Sequence, residues 1–204
     1  VIVGSGIMAE NLTNDNAIRL LANTIATGAG LFVLITAFAN ISGAHLNPFV
    51  SLSMYLTKRI KGKELLTFIP AQILGCLLGV MLANVFFEHS IIELSTKNRD
   101  GFHIFLSEIV ATFGLIFIIF ATLKDGKTTV AACVATYISA GYWFTSSTSF
   151  ANPAVAIART FTDSFTGINY LNTPTYIFAE LLGAIAAVYI ICLLYTSDAA
   201  DEFS

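Results

Sequence analysis

Five long apolar runs, at roughly 17–41, 65–87, 103–123, 128–147 and 174–194, dominate this sequence. An α-helix rises 1.5 Å per residue, so about 20 apolar residues cross the roughly 30 Å of a bilayer's hydrocarbon. In lipid a chain must satisfy its backbone N–H and C=O groups internally, and a helix does so within itself. Composition closes off the soluble alternative. Of 204 residues, 56% are hydrophobic and 11% charged, where soluble domains carry about 25% charged residues. A soluble chain this apolar could not cover its own surface. The reading is an all-α membrane protein, with the lipid bilayer as its first partner. The net charge of −3 comes with no basic patch, which excludes nucleic acid as a partner. Cys76, Cys133 and Cys192 show neither metal-ligand nor disulfide spacing. The first two read as small packing residues inside apolar runs.

Two further apolar stretches, 47–57 and 152–161, are too short to span, and both begin with Asn-Pro. They sit in "GAHLNPFVSL" at 43–52 and "TSFANPAVAIAR" at 148–159. Asn47-Pro48 and Asn152-Pro153 are offset by 105 residues, and "AQILGCLLGV" at 71–80 matches "AELLGAIAAV" at 179–188 at an offset of 108. The halves, about 1–87 and 103–191, read as weak copies of each other. Lys58, Arg59, Lys61 and Lys63, with Lys124 and Lys127, place two loops in the cytoplasm. The segments 10–19, 88–101 and 159–173 then fall outside. Each half has an odd number of spans, so the second copy runs through the membrane upside down, an inverted repeat.

Irregular backbone cannot face lipid, so residues 42–47 and 147–152 must line a water-filled path inside the protein. Asn is a good N-cap, and Pro at the first helical position has no N–H to waste. Each Asn-Pro therefore starts a half-helix near mid-membrane, one from each side. Their electropositive ends meet. Such a junction repels cations, while the Asn amides can donate to the oxygen of water or a hydroxylated solute.

"SGAHLNPFVSL", "FANPAVAIAR" and the Ser107-Glu108 pair opening the fourth span resemble the aquaporin, or major intrinsic protein, family over about residues 1–191. The resemblance implies six transmembrane helices plus two half-helices, a passive pore in each subunit and a homotetramer. It implies pore motifs at Asn47, Pro48, Phe49 and at Asn152, Pro153, Ala154. Glu108, Glu180 and the latter's repeat partner Gln72 would support the half-helices. His45 would line the cytoplasmic side of the pore. "NPAVAIARTFTDSFTGI" further resembles a bacterial subgroup associated with arsenic-resistance operons, which implies neutral metalloid hydroxides such as arsenous acid and its methylated forms as cargo. Those solutes are polyol-sized and hydrogen-bonding, and the physics does not separate them from glycerol or urea.

Departures from the family pattern are informative. Phe49 stands where Ala is usual. Val155 stands where most relatives carry Arg, three residues past the Asn. Ungapped spacing adds Thr27, Ala140 and Ser149 as the rest of the outer constriction. That set is small and mostly neutral, and predicts a wide, Arg-free neck passing small neutral solutes larger than water. Arg159, one turn past Val155, could reach back to the mouth, but snorkelling to the outer interface is the expectation. Gly75, Gly79, Gly114 and Gly183 are expected to allow close helix approach.

No nucleophile–base set, cofactor motif or metal-ligand cluster is visible, so no catalytic residue and no cofactor is assigned and an enzyme is excluded. A secondary transporter coupled to an ion gradient is the alternative, since inverted repeats and broken helices serve both classes. The expected location is the plasma membrane, a bacterial inner membrane. "VIVGSGIMAE" reads as the second half of a first helix, and residues 192–204, containing "CLLYTSDAADE", as an artefactual or disordered tail resembling translated sequencing adapter.

Overall fold

The computed structural model describes the backbone of residues 1–201 and side chains through residue 194. Among the described residues every regular element is helical. The first half holds α1 (Ile2–Leu12), α2 (Asn16–Ser42), the short α3 (Pro48–Leu56) and α4 (Gly62–Phe86). The second holds α5 (Phe102–Thr122), α6 (Lys127–Phe144), the short α7 (Pro153–Ala158) and α8 (Thr173–Asp201). Single 3₁₀ turns follow α5, at Leu123–Asp125, and α7, at Arg159–Phe161. Of the tail expected at 192–204, the backbone continues α8 to Asp201, and residues 202–204 lie outside the described residues.

Among the described residues four helices are long and apolar enough to cross a membrane: α2, α4, α5 with its following turn, and α8 to Leu194. The fifth predicted span, 128–147, becomes α6, which stops at Phe144 after 18 residues and is more polar. Its hydroxyls are consumed locally. Thr136 donates to the Ala132 carbonyl, Ser139 to Ala135 at 2.8 Å, and Tyr137 crosses to the Ala111 carbonyl of α5 at 3.1 Å. Satisfied in this way, polar residues cost little in a helix bundle.

α5 packs against α8, α2 against α6, and α1 against α2. Each short helix packs on the last helix of its own half and on that of the other half: α3 on α4 and α8, α7 on α8 and α4. The two halves are thus interlocked through their short helices. At the α5–α8 contact a Cβ on Gly183 would collide with the Ile109 carbonyl, and at the α5–α6 contact one on Gly114 would meet the Tyr137 hydroxyl. Close helix approach is the role of these two glycines. Gly75 and Gly79 do not share it, because nothing lies within 4 Å of where their Cβ atoms would be. They sit on α4, which buries only Val80, Ala83 and Asn84.

Candidate pore

The half-helices start as their sequences dictate. Asn47 and Asn152 are N-caps with extended backbone (φ −156° and −159°), each followed by Pro at the first helical position. The Asn47 Oδ1 accepts from Phe49 N at 2.9 Å, and the Asn152 Oδ1 from Ala154 N at 3.1 Å. Pro48, Pro153, Phe49 and Ala154 are all buried. Phe49 belongs to the main core, with Ile116, Phe120, Ile138 and Tyr142, so its bulk is absorbed without moving the Asn47 cap.

Across the junction the two amides exchange donors. Asn47 Nδ2 donates to the Ala151 carbonyl at 2.6 Å, and Asn152 Nδ2 to the Leu46 carbonyl at 2.9 Å. Each asparagine thus bonds the residue preceding its counterpart, as an inverted repeat requires. The backbone repeats the symmetry. Leu46 and Ala151, one before each Asn, have φ of 51° and 46°, and Ala44 and Ser149, three before, have 47° and 50°. Left-handed backbone at a non-glycine residue costs about 1–2 kcal/mol, so these limbs must be held from outside.

The second limb is pegged along its length. Ser107 on α5 meets Ser146, Oγ to Oγ, at 2.9 Å. Glu108 accepts Phe150 N at 2.9 Å on one carboxyl oxygen and Ala151 N at 2.8 Å on the other. Glu180 on α8 accepts Asn152 N at 2.9 Å. Both glutamates are fully buried (0% exposed), and the second Glu180 oxygen has no hydrogen-bond partner. Hydrogen bonds of this kind contribute about 0.5–1.5 kcal/mol each, more where the acceptor is charged, which offsets the strained residues. The first limb is held differently. Gln72 donates to Ser51 Oγ at 3.0 Å rather than holding the limb's backbone, and its own carbonyl oxygen is buried without a partner. His45 is half-buried, with Nδ1 3.0 Å from the same Ser51 hydroxyl and its ring edge-on to Phe68.

The four residues expected at the outer constriction differ in burial. Thr27 is buried and Ser149 is buried, with its hydroxyl unpartnered, while Val155 is half-buried on α7. Ala140 is exposed. The α6 residues that meet the other members are its two successors. A Cβ on Gly141 would lie 2.6 Å from Ser149 Oγ, and the Tyr142 hydroxyl donates to Thr27 Oγ1 at 3.2 Å. Between α6 and Asn152, residues 145–152 are an irregular limb whose rise per residue is not a helix's.

Arg159 does not snorkel. It is 3% exposed, its Nε donates to the Thr166 carbonyl, and its guanidinium lies over the Phe150 ring, 3.5 Å from the centroid. The loop 88–101 covers this region. Ser95 N donates to the Thr160 carbonyl at 2.9 Å, Thr96 N to Asp163 at 2.9 Å, and Arg99 reaches the Gly167 and Phe165 carbonyls at 2.8 and 3.0 Å. Lys97 lies 3.7 Å from Glu10. Burial lowers its pKa from the ordinary lysine value, opposed by that carboxylate. Tyr142 and Arg99 lie in no motif, and Phe150, though it opens "FANPAVAIAR", carries no expected role there; only tertiary contact aims them at the site.

Two opposed half-helices capped by reciprocal asparagines, in an inverted repeat of membrane-length helices, is the geometry with which known proteins can be compared. The family model described as Major intrinsic protein matches residues 1–145. The chain belongs to the major intrinsic protein family. This family member is 48% identical to the aquaglyceroporin AqpS of Rhizobium meliloti over 187 residues, 92% of this chain and 80% of that one. It is 31% identical to aquaporin TIP1-2 of Musa acuminata over 98% of this chain and 82% of that one. Among solved structures, the aquaglyceroporin from Plasmodium falciparum superposes with a TM-score of 0.66 at 19% identity, over 95% of this chain and 86% of that one. At that identity the superposition speaks for the fold alone. This major intrinsic protein is a multi-pass membrane channel and not an enzyme.

Proposed function

We propose that this channel passes small neutral solutes passively: water, glycerol-like polyols, urea and metalloid hydroxides such as arsenous acid. The observation that carries the reading is the reciprocal asparagine lock, Asn47 to the Ala151 carbonyl and Asn152 to the Leu46 carbonyl. A carboxamide nitrogen has two hydrogens. One on each asparagine is spent on the lock, which fixes the amide plane and leaves the other to donate to a passing oxygen. A cation meets instead the electropositive ends of two half-helices. Thr27, Ser149 and Val155 set the outer size limit, with Tyr142 and Gly141 in the place counted to Ala140. Val155 is short and apolar, which favours a neck wide enough for a polyol. The name of the Rhizobium relative, an aquaglyceroporin, agrees with that width. The subunits assemble as a homotetramer in a bacterial inner membrane.

Stopped-flow permeability of liposomes holding the purified chain tests this. Downhill, non-saturating flux of water, glycerol, urea and arsenous acid is expected. Accumulation driven by a proton or sodium gradient would refute it in favour of a secondary transporter.

A further inference from the structure

We infer that Arg159 is the residue that excludes cations at the outer neck, so that size selection and charge selection are divided between Val155 and Arg159. This inference rests on the channel reading above. Arg159 follows α7 directly, on the outer side of the asparagine junction, one helical turn past Val155 and on the same face. Its side chain turns back toward the junction. The guanidinium lies 3.5 Å from the centroid of Phe150, which stands two residues before Asn152 in the limb descending to the pore centre. Tyr142, whose hydroxyl meets Thr27, is among the groups that act on it electrostatically, as are Arg99, Tyr176 and Glu108.

Three features make this a fixed charge rather than a wandering side chain. The Thr166 carbonyl takes its Nε, the Phe150 face holds its plane, and burial removes competing water. The charge also has no carboxylate within ion-pair distance among the described residues. The ion pairs among the described residues are His89–Glu93 and Lys97–Glu10, and Glu108 is committed to the Phe150 and Ala151 amides. A second guanidinium, that of Arg99, lies 5.7 Å from the centroid of the same ring and adds to the positive field. A monovalent cation passing about 6 Å from one such charge, at an effective dielectric near 20, is disfavoured about a hundredfold. A neutral solute is not. Because the charge comes from one turn beyond Val155, it does not consume the width of the neck there.

The test is a double dissociation in liposomes and planar bilayers. Glycerol flux by wild type is read first, and its absence would remove the channel reading and this inference with it. Arg159→Gln is then expected to raise potassium or proton conductance about 10- to 100-fold above wild type while glycerol still passes. Val155→Arg is expected to lower glycerol flux with no change in cation conductance. Adding Val155→Arg to Arg159→Gln should return the leak to the wild-type level. An Arg159→Gln channel that carries glycerol and leaks no more than wild type would overturn the inference. If Arg159→Gln fails to fold, Arg159→Lys decides: cation exclusion with glycerol flux supports a role for the charge, and a leak with glycerol flux overturns it.

Discussion

Glu108 and Glu180 are equally buried, yet the structure sets very different costs for turning each into its amide. Glu108 uses both oxygens, accepting Phe150 N at 2.9 Å and Ala151 N at 2.8 Å. Glu108→Gln keeps the shape, so no cavity term enters. It places an NH₂ group against one of the two N–H groups, losing one charge-assisted bond and leaving a buried donor unpaired. The expected destabilisation is about 2–5 kcal/mol. Because the orphaned amide belongs to the limb that carries the left-handed Ala151, glycerol flux should fall with stability. Glu180 uses one oxygen, on Asn152 N at 2.9 Å, while its other oxygen has no partner. Glu180→Gln keeps the accepting oxygen and turns the idle one into a donor beside Glu108, for an expected change within about 1 kcal/mol. Its repeat partner is already an amide, Gln72. Thermal unfolding in detergent, with glycerol flux measured on the same preparations, checks both. Equal losses, or a larger loss for Glu180→Gln, would refute the bonding argument.

Three other outcomes are expected. Gly183→Ala should destabilise the α5–α8 contact by about 1–3 kcal/mol, since the new methyl meets the Ile109 backbone, whereas Gly75→Ala should be neutral or slightly stabilising; thermal unfolding of the pair compares them. Asn152→Ala should cost about 1–3 kcal/mol by removing the N-cap and one arm of the reciprocal lock, with loss of solute flux read in liposomes. Asp163→Ala should free the outer loop, because that carboxylate accepts Thr96 N and the Thr96 hydroxyl; faster amide hydrogen exchange over residues 93–97 would register it, with the helix interiors unchanged.

The six-span pattern was legible because lipid imposes a strict rule: a spanning segment must be long, apolar and self-satisfied. The half-helices were legible for a related reason, since Asn-Pro specifies an N-cap and a first turn from local geometry alone. The repeat then implied that the two caps face each other. Less was readable of α6, whose hydroxyls lower its hydropathy but are neutralised by carbonyls the sequence cannot show. Glu108 and Glu180 could be named as supports, but not that one holds two amides and the other holds one.

The sequence by itself thus determined the membrane class, the inverted repeat and the capped junction, all products of periodicity and short-range backbone chemistry. The tertiary structure alone decided the packing around Thr27, Ser149 and Arg159. Which α6 residues meet Ser149 and Thr27, namely Gly141 and Tyr142, depends on an irregular limb with no fixed rise per residue. Arg159 looked like a surface side chain at helical spacing. It became a buried, ring-stacked charge only when Phe150, Thr166 and the covering loop, separated along the chain, closed around it.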